Sequence, residues 1–99
     1  MITWNRTASY TPATFGATMT FAQQITVYVK ELLGIDVRVT LPVGGDPSRI
    51  RWTVEYASLG ALEEAMRKAL GDPQYVQMVA EASDYFIDGS IVDEIWASP

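Results

Sequence analysis

The chain has no cysteine and no histidine. Without cysteine there are no disulfides, no thiolate metal sites and no thiol nucleophile. Without histidine, the commonest metal ligand and the commonest general base are missing together. Basic residues are also scarce, seven against twelve acids, for a formal charge of −5. Nucleic-acid-binding domains carry a basic footprint, and an anionic membrane surface selects for one too, so neither partner is expected. Long apolar runs are lacking as well. The most apolar stretch is interrupted by Gln23, Gln24, Lys30 and Glu31, which excludes a spanning helix there. Met1 to Arg6 shows no basic region followed by an apolar run, so no signal peptide is expected and the protein reads as cytoplasmic. The acceptor spelling Asn5-Arg6-Thr7 is then expected to be chance.

What remains is 99 residues, 48% of them apolar, enough for one compact domain over residues 1–99 with a real core. From Ile2 to Tyr10 the residues alternate, with Ile2, Trp4, Ala8 and Tyr10 on one parity and Thr3, Asn5, Thr7 and Ser9 on the other. This is a strand pattern, interrupted by Arg6 on the apolar parity. Thr11-Pro12 reads as a helix start, with a hydroxyl cap and a proline that needs no N–H there. Phe21, Ile25, Tyr28, Val29 and Leu32 then recur at helical spacing until Gly34.

Val37, Val39, Leu41 and Val43 alternate with polar residues up to Gly44-Gly45-Asp46-Pro47; Ile50, Trp52, Val54 and Tyr56 alternate beyond it. Two period-two runs about such a turn predict a β-hairpin. Ser58 caps a helix with Leu59, Leu62, Met66, Ala69 and Leu70 on one side, acids early and bases late, as the helix dipole favours. Gly71 ends it. Asp72-Pro73 starts a further short helix with Val76, Val79 and Ala80 on one face, and Asp88-Gly89 turns into a last strand ending near Trp96. The order is strand, helix, strand, strand, broken helix, strand. That is a ferredoxin-like βαββαβ arrangement of the α+β class.

This order resembles the dimeric α+β barrel superfamily, which includes antibiotic-biosynthesis monooxygenase-like and NIPSNAP-like proteins. Val54-Glu55-Tyr56-Ala57-Ser58-Leu59, running from strand into helix, and Gly71-Asp72-Pro73-Gln74-Tyr75, opening the broken second helix, carry the resemblance. It implies a homodimer of ferredoxin-like protomers packed sheet against sheet, each with a pocket between sheet and helices. Haem-binding, isomerase and decarboxylase relatives place a histidine in that pocket, and this chain has none. Relatives that act as cofactor-independent monooxygenases use asparagine, tryptophan and tyrosine or phenylalanine, and Asn5, Trp52 and Tyr56 are of those types.

Three constellations invite a functional reading. On the polar parity of the hairpin, Arg38, Arg51 and Glu55 share one sheet face, with Arg38 opposite Thr53. Two arginines can hold an anionic ligand by bidentate hydrogen bonds, whereas a salt-bridge ladder is the structural alternative. Any acid–base work there falls to Glu55, because arginine stays protonated. The aromatics Trp4, Tyr28, Trp52, Tyr56 and Trp96 either line a pocket for a flat organic molecule or fill a core. A tyrosine in such a pocket can donate a proton or orient a carbonyl. The acids Asp84, Asp88, Asp93 and Glu94 lack the spacing of a calcium loop and read as a solvated rim, with no metal expected. Asp93 and Glu94, adjacent in a strand, point to opposite faces.

The expectation is therefore a homodimeric barrel binding a small aromatic or anionic organic molecule, with no cofactor. Any catalysis, of monooxygenase or isomerase type, falls to Glu55 and Tyr56, with Asn5, Arg38, Arg51 and Trp52 as ligand-binding residues. The alternative is a non-catalytic dimerising module with a filled interior.

Overall fold

The computed structural model describes all 99 residues, Met1–Pro99. Four strands, β1 (Ile2–Ser9), β2 (Arg38–Thr40), β3 (Arg49–Tyr56) and β4 (Val92–Ala97), form one antiparallel sheet in the order β2-β3-β1-β4. Three helices, α1 (Phe15–Leu33), α2 (Leu59–Leu70) and α3 (Pro73–Ala82), supply the second layer. The fold is the ferredoxin-like α+β arrangement that the element order predicts.

Alternation in β3 decides which face is covered. Ile50, Trp52 and Val54 are buried, while Arg49, Arg51 and Glu55 are exposed. Ile50 and Trp52 join Ala8 and Tyr10 of the β1 segment and Ala22 of α1 in the core, with Met19 and Phe21 packed against it. Register follows the same parity: Ala8 pairs with Ile50, Arg6 with Trp52 and Trp4 with Val54. Even-numbered positions of β1 and β3 thus face the helices, and odd-numbered ones form an open sheet face.

Several elements differ in detail from the sequence expectation. Arg38 does pair with Thr53, but β2 stops at Thr40 instead of running to Val43. Pro42 has no N–H to give a ladder, and Leu41 and Val43 stand exposed. Thr11 makes no side-chain cap. A 3₁₀ turn, Pro12–Thr14, precedes α1, and Thr14 Oγ1 docks it by donating to the Tyr85 carbonyl at 2.8 Å. Gly34 closes α1 at φ 69°, a left-handed position that its missing Cβ permits, and its N–H bonds the Lys30 carbonyl. In α3 the covered positions are Tyr75, Met78 and Ala82, not Val76, Val79 and Ala80; Val76 and Ala80 are exposed, and Val79, 37% exposed, borders the cavity at its rim. The helix is short, so the docking of its first turn sets its rotation.

That docking depends on Asp72. Its Oδ2 accepts the Tyr75 amide at 2.9 Å as an N-cap and the Tyr28 hydroxyl of α1 at 2.5 Å. The Tyr28 bond first, and the Tyr75 amide second, hold the Asp72 carboxyl below its ordinary 3.8. The contribution is therefore present above 3.8 and is lost as pH falls through the lower folded-state value. The same bond raises Tyr28 above its ordinary 10.0, so it is also lost as pH rises through that raised value. Tyr28→Phe is expected to lower the melting temperature by a few degrees at pH 7. In thermal melts across pH, the gap from the parent protein should close at both extremes; a gap independent of pH would exclude the bond as its source.

Candidate functional site

Between the covered sheet face and the helices lies a cavity of about 230 Å³. Trp4 and Arg6 of β1 and Trp52, Val54 and Tyr56 of β3 form its floor. Phe21, Ile25 and Val29 of α1, Met66 and Ala69 of α2, and Tyr75 and Val79 of α3 form the opposite wall, which is open to solvent where Met66, Leu70 and Val79 are exposed. Apart from Arg6 and Ser83 the wall is aliphatic or aromatic. Trp52 packs edge-on against Phe21 and Phe86, with ring centroids 6.3 and 5.8 Å away. Its indole Nε1–H has no hydrogen-bond partner in the protein.

The polar end of the cavity is built around Arg6. Its Nε donates to Asp93 Oδ1 at 2.7 Å and its Nη2 to Asp93 Oδ2 at 2.9 Å, a two-pronged bridge between β1 and β4. The guanidinium also sits 5.3 Å from the centre of the Trp4 ring. The Asp93 hydrogen bond raises the Arg6 pKa further, against a smaller opposing effect of burial, so the cation persists. Tyr75 lies near enough to act electrostatically on both Arg6 and Tyr56. Burial, and then Tyr75, push the Tyr56 hydroxyl above its ordinary value. Tyr56 is therefore a neutral hydrogen-bond donor at neutral pH and not a base.

The six residues singled out from sequence do not form one cluster. Trp52 and Tyr56 line the cavity, while Asn5, Arg38, Arg51 and Glu55 lie on the opposite, open face of the sheet. On that face Thr53 Oγ1 donates to Asn5 Oδ1 at 2.8 Å, which accounts for the burial of Thr53. Arg51 Nε donates to Thr40 Oγ1 at 3.2 Å. Within one chain there is no salt-bridge ladder: the ion pairs are Arg6–Asp93 and Lys30–Asp36, and Glu55 pairs with neither arginine. Thr53 separates Arg51 from Glu55 along β3, and Arg51 turns to β2 instead. A shallower cleft of about 160 Å³ lies beside Thr7, Thr40, Arg49 and Arg51.

Of the other aromatics, Trp4 lines the cavity, Tyr28 is engaged with Asp72, and Trp96 is exposed on the open face. No three acidic side chains come together to hold a metal ion. Asp93 is exposed, as expected of a solvated rim, and is also the partner of Arg6; Glu94 beside it faces the other way, opposite Asn5. Arg6, Asp93 and Tyr75 are the site residues that sequence reasoning missed. The available signal was a charge on the inward parity of each edge-to-edge strand, Arg6 between Trp4 and Ala8 and Asp93 between Ile91 and Ile95.

No helix is long and apolar enough to cross a membrane. No protein-family pattern matches the sequence, and no curated protein matches it either. Solved structures do resemble it throughout. An uncharacterized NIPSNAP domain protein from Burkholderia xenovorans superposes with a TM-score of 0.84 at 12% identity, over 100% of this chain and 95% of that one. A NIPSNAP family protein from Agrobacterium tumefaciens gives 0.82 at 16%, covering 99% and 85%. A candidate antibiotic biosynthesis monooxygenase from Deinococcus radiodurans gives 0.76 at 15%, covering 100% and 93%. The chain thus has the ferredoxin-like α+β fold that NIPSNAP and antibiotic-biosynthesis-monooxygenase-like proteins share.

Proposed function

We propose that the protein binds a small, flat, mainly apolar organic molecule in the cavity between sheet and helices, as a cytoplasmic homodimer. The observation that carries this reading is the cavity itself. An apolar protein cavity of about 150 Å³ accepts benzene, so one of about 230 Å³ has room for a larger, roughly bicyclic ring system. A module with a filled interior would have no such space. Catalysis at this site would be cofactor-independent, of the monooxygenase or isomerase type. Tyr56 would donate a hydrogen bond to a substrate oxygen, and Trp52 would provide an aromatic wall.

The dimer reading is supported by the open face. Every residue of β4 is exposed, and Trp96, 61% exposed, lies on that face beside Thr3. Exposed apolar surface of this kind marks interaction sites. Arg49 and Arg51 lie toward one end of the face and Glu55 toward the other, so a second copy can meet it with opposite charges. Asn5, Arg38, Arg51 and Glu55 would then belong to the dimer interior, apart from the cavity.

Native mass spectrometry with added 2-naphthamide tests both points. The expected species is a dimer carrying probe mass, and Ala65→Trp, which adds an indole at a half-buried position of the cavity wall, should remain dimeric but lose the probe. Equal binding by both proteins would place the ligand elsewhere, and a monomer would remove the barrel.

A further inference from the structure

Building on the cavity reading, we infer that the Arg6–Asp93 pair is its charge filter, admitting uncharged molecules with an acceptor oxygen and rejecting anions. Arg6 is the one charged residue on the cavity wall. An unpaired guanidinium in an aromatic and aliphatic wall would make an anion site, because it binds carboxylates in a bidentate fashion. Here that role is already filled from within the chain. Asp93 stands directly across from Arg6 in the β1–β4 register and takes both Nε and Nη2.

Two consequences follow for a ligand. A carboxylate entering the cavity must either displace Asp93 or sit beside a pair whose net charge is zero, so it gains none of the attraction that an unpaired guanidinium would offer. A carbonyl, ether or amide oxygen needs only one donor. The guanidinium has five N–H groups and commits two to Asp93, and the Tyr56 hydroxyl on the same floor is protonated. The side chains of Arg6 and Asp93 are 32% and 36% exposed, so the pair stands at the solvent boundary of the cavity, where a ligand's polar end would meet it. Trp4 under the guanidinium limits its swing toward a displaced position.

The test compares two probes of one shape, neutral 2-naphthamide and anionic 2-naphthoate, by calorimetry at pH 7. The parent protein should bind the amide more tightly. Asp93→Asn leaves the Arg6 cation unpaired and should shift the ratio of the two dissociation constants toward naphthoate by about tenfold or more, the scale of a charged hydrogen bond. The double variant Arg6→Gln/Asp93→Asn has no charge at the site and should return the ratio to that of the parent. It also guards against a fold defect in the single variant, because a merely structural role for the pair would not restore the preference. An unchanged ratio in Asp93→Asn, or tight naphthoate binding by the parent, overturns the filter while leaving the cavity reading intact. Failure of both probes to bind the parent protein overturns the cavity reading and the filter with it.

Discussion

Ile50→Ala is expected to lower the unfolding free energy by about 4 kcal/mol, toward the upper part of the range for buried aliphatic truncations. Ile50 is 1% exposed, on an inner strand of the sheet, and packs beneath α1. Its neighbour across the β1–β3 ladder is Ala8, and the fully buried helix residue in the same cluster is Ala22, with Met19 and Phe21 of α1 packed at its edge. Neither alanine has side-chain atoms that can move into the space left by the lost carbons. Tyr10 and Trp52 are constrained too, the first by its hydroxyl bond to the Pro47 carbonyl and the second by two edge-on rings. The cavity should therefore persist, which is what separates a loss of about 4 kcal/mol from one of about 2. Against a total stability of about 5–15 kcal/mol for a domain, this is a quarter or more of the whole. Ile50→Val, which removes one carbon, should cost about 1 kcal/mol. Urea denaturation checks both, with the midpoint falling and the slope unchanged. A loss below about 1 kcal/mol for the alanine variant would mean that the sheet and α1 close on each other freely.

Thr18→Val is expected to act in the opposite direction, stabilising by about 1–2 kcal/mol. Thr18 in α1 is completely buried, and its Oγ1 has no hydrogen-bond partner. A buried hydroxyl left unpaired carries its full desolvation cost, and valine keeps its shape while removing that group. Helix propensity hardly enters, because both residues are β-branched and rank close together. In a domain of this size the gain corresponds to a rise in melting temperature of about 4–8 °C for each kcal/mol. Thr53 supplies the control. It is nearly as buried, at 5% exposed, but its Oγ1 donates to Asn5 Oδ1. Thr53→Val should therefore destabilise, since it removes the hydrogen bond to Asn5 without relieving an unpaired group. Calorimetric melts that move both variants the same way would exclude unpaired polarity as the cause.

Much of the fold was legible because local rules speak clearly in this chain. The parity of Ile50, Trp52, Val54 and Tyr56 against Arg49, Arg51, Thr53 and Glu55 declares a strand with one covered face. Ser58 and Asp72 announce helix starts and do cap them, accepting from the amides of Ala61 and Tyr75. Gly34 announces a helix end and takes the left-handed conformation. The candidate site was less legible, and one part of the reason is simple. Glu55 and Tyr56 are neighbours in a strand and must point to opposite faces, so grouping them joined residues that the sheet keeps apart.

The sequence by itself determined the element order, the two-layer class and the inward parity of each long strand, since these follow from contacts within a few residues. Only the tertiary structure decided how far β2 pairs, which face α3 turns inward, and that Arg6 meets Asp93 across 87 positions of chain. Those outcomes depend on strand register and on how helices dock against a finished sheet. A charge on an apolar parity looks like a flaw in a pattern until the neighbouring strand brings its counter-charge. The physical reason is that an ion pair at the edge of an apolar cavity is stable only when both partners arrive together.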